Sequence, residues 1–174
     1  HLFQPVRFFL HPQMRRAILP ALTHLPNTMH SSNALVMLLA IGLHESAFIH
    51  RQQLQGPAKG FWQFEKNGGV YGVLNHRSTQ RHALALCYQQ QVFDQGVTWV
   101  DRTGVHLSYM QLAKDDILAA GFARLLLWSD PQPLPAIGDQ QAAWQLYLRT
   151  WRPGKPRATA WPLSYQHALS YLST

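Results

Sequence analysis

Eight residues of the 174 are acidic, and only two of these, Glu45 and Glu65, are glutamates. Glu45 has the less ordinary setting. It shares one helical stripe with Leu38, Ile41, Gly42, Phe48 and Ile49, so a carboxyl is carried on the face that should turn inward. A carboxyl drawn partly out of water keeps its proton to higher pH, which is the property a general acid needs near neutrality. A buried glutamate paired with a neighbouring Arg or His is the non-catalytic alternative. Just downstream, Glu45-Ser46-Ala47-Phe48 is followed by a short polar loop and then by Gly56-Pro57-Ala58-Lys59-Gly60-Phe61-Trp62-Gln63-Phe64.

These two segments together resemble the lysozyme-like superfamily that includes soluble lytic transglycosylases and goose-type lysozymes. In that family a catalytic Glu-Ser pair ends a helix and a Gly-Leu-Met-Gln segment follows; here Gly60-Phe61-Trp62-Gln63 takes the second place. The resemblance covers about residues 38–64. It implies a mainly α lysozyme-like domain that cleaves the β-1,4 bond between N-acetylmuramic acid and N-acetylglucosamine in peptidoglycan. Glu45 would protonate the glycosidic oxygen, Ser46 would steady the turn or the substrate, and Gln63 would line the cleft with Phe61 and Trp62. The family's third region, an Ala-Tyr-Asn-Ala-Gly stretch, is not literally present. Trp144-Gln145-Leu146-Tyr147 to Trp151-Arg152-Pro153-Gly154 is its stand-in. A bacteriophage endolysin or virion-borne wall-degrading module, made in the cytoplasm and acting on the wall or periplasm, is the preferred setting; a bacterial enzyme domain also fits.

Cleaving that bond takes a proton donor and something to stabilise an oxocarbenium-like transition state. Glu65, Asp115 and Asp116 are the candidates for a second carboxylate, although Glu65 sits beside Lys66 in a polar turn and the Asp pair reads first as a helix N-terminal cluster. Without one, the substrate's N-acetyl group or 6-hydroxyl can complete the reaction, with Glu45 acting first as acid and then as base. Sugar rings stack on aromatic faces, and six Trp with six Tyr offer many. Tyr71, Tyr147, Trp62 and Trp151 are expected to meet substrate because they adjoin Gly-rich or Pro-rich segments; Trp99, Trp128 and Trp144 are expected to pack.

Other chemistries fail on spacing. His44-Glu45 starts like a zinc-protease helix, but Phe48 stands where its second His belongs. Ten histidines without close ligand spacing and a single cysteine give no metal site, and no cofactor is expected. The Gly68-Gly69-Val70-Tyr71-Gly72 run is too irregular for a nucleotide loop, and there is no Gly-x-Ser-x-Gly elbow.

These side chains need helices to hold them. The length and 47% hydrophobic content suit one domain over residues 1–174. Helices are expected over 12–25, bent or shortened by Pro20; from the cap residues Ser31-Ser32-Asn33 to about Phe48; over 78–93; from Tyr109 or Asp115 to Trp128; from an Asp139 cap over 140–151; and over 162–172. The glycine-rich stretch 55–75 is expected as loop or short strands forming one wall of the cleft. Cys87, among Ala83, Leu84 and Leu86, should be a buried thiol.

No apolar stretch reaches the ~18–20 residues that span a bilayer, so no membrane insertion is expected. The net charge of +7 favours an anionic partner without naming it. Its basic residues are dispersed, which argues against nucleic acid, and a monomer is expected. Two rival readings stay open: a wall-binding domain of the same fold without activity, and a basic helical nucleic-acid binder.

Overall fold

A computed structural model describes residues 11–94 and 100–172; Trp99 lies outside them. Eight α-helices are present among the described residues: α1 (Leu19–Thr23), α2 (Ser32–Ser46), α3 (Tyr71–Asn75), α4 (Gln80–Gln89), α5 (Arg102–Leu112), α6 (Asp116–Trp128), α7 (Gln140–Trp151) and α8 (Trp161–Ser170). Wider π-type turns, Met14–Ile18 and Lys66–Val70, run directly into α1 and α3. The chain is mainly α. Its extended contacts among the described residues are two isolated antiparallel bridges, Gln52 to Lys59 and Lys59 to Phe64.

Two helices form the centre. In α2 every residue from 34 to 41 is at most 2% exposed, so this helix is apolar all round and must be surrounded. Ser31 starts it, its Oγ accepting the Ala34 N–H at 3.0 Å. Ala47 and Phe48 stop it, both in the left-handed region at φ 53° and 55°. That reversal folds the Phe48 ring back onto α2, where a Cβ on Gly42 would lie 2.1 Å from its tip. Only glycine allows this contact. The second central helix, α6, buries residues 118–127 and is capped by Asp115, whose Oδ1 accepts the Leu118 N–H at 2.9 Å. Helix α8 packs along α2, while α4 and α5 lie against α6.

Most expected helices are found, with instructive differences. Pro20 lies inside the helical run 12–23, directly after the π-type turn Met14–Ile18, and that wider turn accommodates the helical bond its missing N–H cannot make. Of the two starts expected for the helix ending at Trp128, Asp115 is the one found, as the cap of α6; Tyr109 belongs to a separate, unexpected helix, α5, capped by Asp101, whose Oδ1 accepts the Gly104 N–H at 2.9 Å. The reading of 55–75 as wholly non-helical is corrected over 66–75. Val70, Val73 and Leu74 share one face and are each 0% exposed, and that burial outweighs the glycines around them. Cys87 is buried as expected.

Candidate active site

Glu45 occupies the last turn of α2, partly buried beside the fully apolar part of the helix. Its Oε1 accepts a hydrogen bond from the phenol of Tyr147, which is 102 positions away and only 2% exposed. Burial raises the Glu45 pKa above its ordinary value. The Tyr147 bond and the positive field of Arg157 oppose that rise without cancelling it. The Tyr147 phenol is itself held protonated, first by burial and then by the adjacent carboxyl. Arg157 donates to the His44 carbonyl, which places its charge at the end of α2. His44 faces away into an aromatic nest of Trp144, Tyr147 and Trp161, with ring centroids 5.2–5.9 Å from its own. Burial, then Arg157, pushes His44 down to about 4, so it stays neutral and pairs with Ser164 Oγ at 3.1 Å.

This carboxyl opens onto a cleft of about 1260 Å³. Four stretches line it: the end of α2, residues between His50 and His76, residues between Leu126 and Pro131, and residues from Tyr147 to Arg157. A proton donor held by a phenol within such a space is suited to acid catalysis on a leaving oxygen.

The hairpin that brings Gln63 here is closed by reciprocal bonds between Lys59 and Phe64, each N–H donating to the other's carbonyl at 2.9 Å. Its tip is Gly60-Phe61-Trp62-Gln63. Gly60 has φ +77° and approaches the Leu112 carbonyl closely, so a side chain there would be strained. Gln63 also has a left-handed φ of 55°, a conformation costing roughly 1 kcal/mol for a non-glycine residue. It is held there by two bonds to the Gly60 carbonyl, from its backbone N–H and from Nε2, both at 2.9 Å.

The structure corrects the expectation for Phe61 and Trp62. Both are buried, at 2% and 1% exposed, and neither lines the cleft. The tip points into the core, where Phe48 meets the two rings edge-on at 5.5 and 5.4 Å. Trp62 Nε1 donates to the Leu38 carbonyl at 2.9 Å, pinning the tip to α2. Ser46 anchors the same tip, its Oγ donating to the Phe61 carbonyl at 2.7 Å and accepting the Phe48 N–H at 3.1 Å.

Tyr71, 54% exposed, and the half-buried Trp151 do line the cleft, together with Gln63 and Tyr147. Trp151 Nε1 donates to the Trp62 carbonyl at 2.9 Å, and its ring stacks near Tyr147 at 6.2 Å. Of the possible second carboxylates, Asp115 caps α6 and accepts from Gln90 Nε2 at 2.9 Å. Asp116 makes a two-pronged pair with Arg51, 2.9 Å on each arm. Neither borders the cleft, whereas the exposed Glu65 does. Trp128 and Trp144 pack against the core as expected.

Sequence reasoning missed Tyr147 as the partner of Glu45, placing it only as a sugar platform. It also missed Arg157, for which the basic composition of 149–157 was the only signal. No three His, Cys, Asp or Glu side chains gather as a metal site among the described residues, and no helix among them is long and apolar enough to cross a membrane. Comparison with protein-family models, with curated proteins and with solved structures finds no match in any of the three.

Proposed function

We propose that this chain is a lysozyme-like, peptidoglycan-degrading glycosidase, a lytic transglycosylase or muramidase, with Glu45 as its single general acid and base. The observation that carries the reading is a proton-retaining carboxyl, bonded by a buried phenol, opening onto a cleft of about 1260 Å³. The end of α2 forms the floor of that cleft, and the stretches around Gln63 and Trp151 form its two walls. Peptidoglycan strands are the partner, and the wall or periplasm is the place of action.

In this mechanism the Glu45 proton passes to the glycosidic oxygen as its bond to the muramyl anomeric carbon breaks, leaving positive charge on the sugar ring. The resulting carboxylate is stabilised by the Tyr147 O–H and by the Arg157 charge, the same two influences that oppose the rise in its pKa. The muramyl 6-hydroxyl or a water then attacks the anomeric carbon and gives its proton to Glu45, which restores the acid. Asp115 and Asp116 take no part, because both are engaged elsewhere. Tyr71 and Trp151 offer ring faces to the sugars.

Mass spectrometry of digested sacculi tests the reading. New 1,6-anhydromuramyl ends identify the transglycosylase and new reducing ends the hydrolase. Glu45→Gln should cut the formation of either product by roughly a hundred-fold or more while leaving the helical circular-dichroism spectrum unchanged, because the amide keeps the shape and loses the proton. Intact sacculi after treatment with the native protein would refute the proposal.

A further inference from the structure

Arg124 lies in the middle of α6 and is 3% exposed. Its Nε donates to the Met29 carbonyl at 2.8 Å, while Nη1 is enclosed without a hydrogen-bond partner among the described residues. The guanidinium carbon lies 5.6 Å from the centre of the Trp128 ring. Burial, with no opposing charge, pushes Arg124 down to about 10, so it remains a cation at neutral pH. A buried cation without a counter-charge is far more costly than a paired one.

This sequence does not supply that counter-charge from a side chain. All eight Asp and Glu residues are among the described residues, and the ion pairs formed within 4.0 Å among those residues are Arg51 with Asp116 and Arg149 with Asp130. Arg124 instead borders a second cavity of about 630 Å³, between the start of α2 and the segment that follows α6. Thr28, Ser31 and Asn33 line it from the α2 side, and Trp128 and Gln132 from the other. The first turn of a helix carries amide groups without helical acceptors and the positive end of the helix dipole. α2 is 15 residues long, and Ser31 and Asn33 at its start border the same cavity as Arg124. Asp130 also borders the space, but its oxygens are taken by Arg149, at 2.9 and 3.4 Å, and by the Gln132 N–H at 3.0 Å.

We propose that this cavity binds an oxyanion, a carboxylate or a phosphate, which pairs with Arg124 at the N-terminal end of α2. Arg124 and the first residues of a helix border one space, and a guanidinium and a helix N-terminus are both donors that recognise an anionic group. The site is separate from Glu45 and independent of the wall-cleaving proposal, although Asp130 and Pro131 border both spaces.

Thermal unfolding of the whole chain in inorganic phosphate, in acetate and in chloride, at matched ionic strength, tests this. At about ten times its Kd the bound anion should raise Tm by roughly 3 to 6 °C over chloride. A larger rise with phosphate identifies a phosphate site, and a larger rise with acetate a carboxylate site. Arg124→Met should abolish the rise. The proposal is overturned by a wild-type Tm that is the same in all three salts, or by an equal rise in wild type and variant. If Arg124→Met does not fold, tryptophan fluorescence decides: the effective anion should change the emission of wild type and leave Trp128→Phe unchanged. A change that survives the loss of Trp128 places the anion elsewhere and overturns the site.

Discussion

Removing the Tyr147 hydroxyl tests the acid site without touching the acid. Tyr147 is 2% exposed and its ring is packed among Trp144, Trp151 and Trp161, so Tyr147→Phe keeps the packing and deletes one O–H. When Glu45 is ionised, the lost bond is one to a charged acceptor, worth about 1.5–3 kcal/mol. For a chain of this length each kcal/mol moves Tm by about 2–4 °C, so the loss should be roughly 3 to 12 °C above the Glu45 pKa. When Glu45 is protonated, or is replaced in Glu45→Gln, the bond joins neutral partners and is worth about 0.5–1.5 kcal/mol. The cost of Tyr147→Phe should therefore shrink as pH falls, and should also be smaller in the Glu45→Gln background. Activity changes in a defined direction too. The Tyr147 bond holds the Glu45 pKa down, so its loss moves that pKa up. The alkaline limb of kcat/KM for sacculus solubilisation, which marks loss of the acid's proton, should then shift to higher pH. Thermal melts across pH and a pH–rate profile make the measurement. An unmoved limb, with equal Tm losses in the native and Glu45→Gln backgrounds, would refute the account of this bond.

Glu45→Gln should lower lytic turnover by roughly a hundred- to ten-thousand-fold. It should also stabilise the protein at pH 7. A carboxyl whose folded pKa is raised penalises the native state as pH climbs from its ordinary 4.5 through the folded value, so the gain should be absent below pH 4.5 in melts across that range. Trp62→Phe removes the indole bond to the Leu38 carbonyl, which keeps its helical donor, and loss of that bond should cost about 0.5–1.5 kcal/mol in urea unfolding. Cys87, 0% exposed and pushed up to about 12 chiefly by burial, should not react with a thiol reagent at pH 8 until the protein is unfolded.

Much of the frame is legible in the residues. Ser31, Asp115 and Asp139 announce helix starts, and each makes the capping bond its type suggests, the last at 3.0 Å to Ala142. Pro153 and Gly154 mark the end of α7, and the position of Glu45 on an apolar helix can be read directly. What is lost is the destination of side chains that only tertiary packing decides. Phe61 and Trp62 sit among glycines and look available to solvent, yet a hairpin tip can be driven inward as well as outward. Nothing local distinguishes the two outcomes. The bond between Tyr147 and Glu45 joins residues 102 apart in the chain, and a stripe of aromatics on α7 is equally consistent with facing sugar or filling a core. The helical turn at 66–75 is hidden by Gly68, Gly69 and Gly72, whose backbone preference yields to the burial of their neighbours.

Two indoles span the molecule behind the acid. Trp151 of α7 reaches the carbonyl of Trp62, and Trp62 in turn reaches the carbonyl of Leu38 on α2. The two helices are thus tied to one another through the hairpin tip, by one indole N–H on each side of it. Under the proposed function, a glycan strand would meet a cleft whose sides are already tied to one another through the hairpin tip.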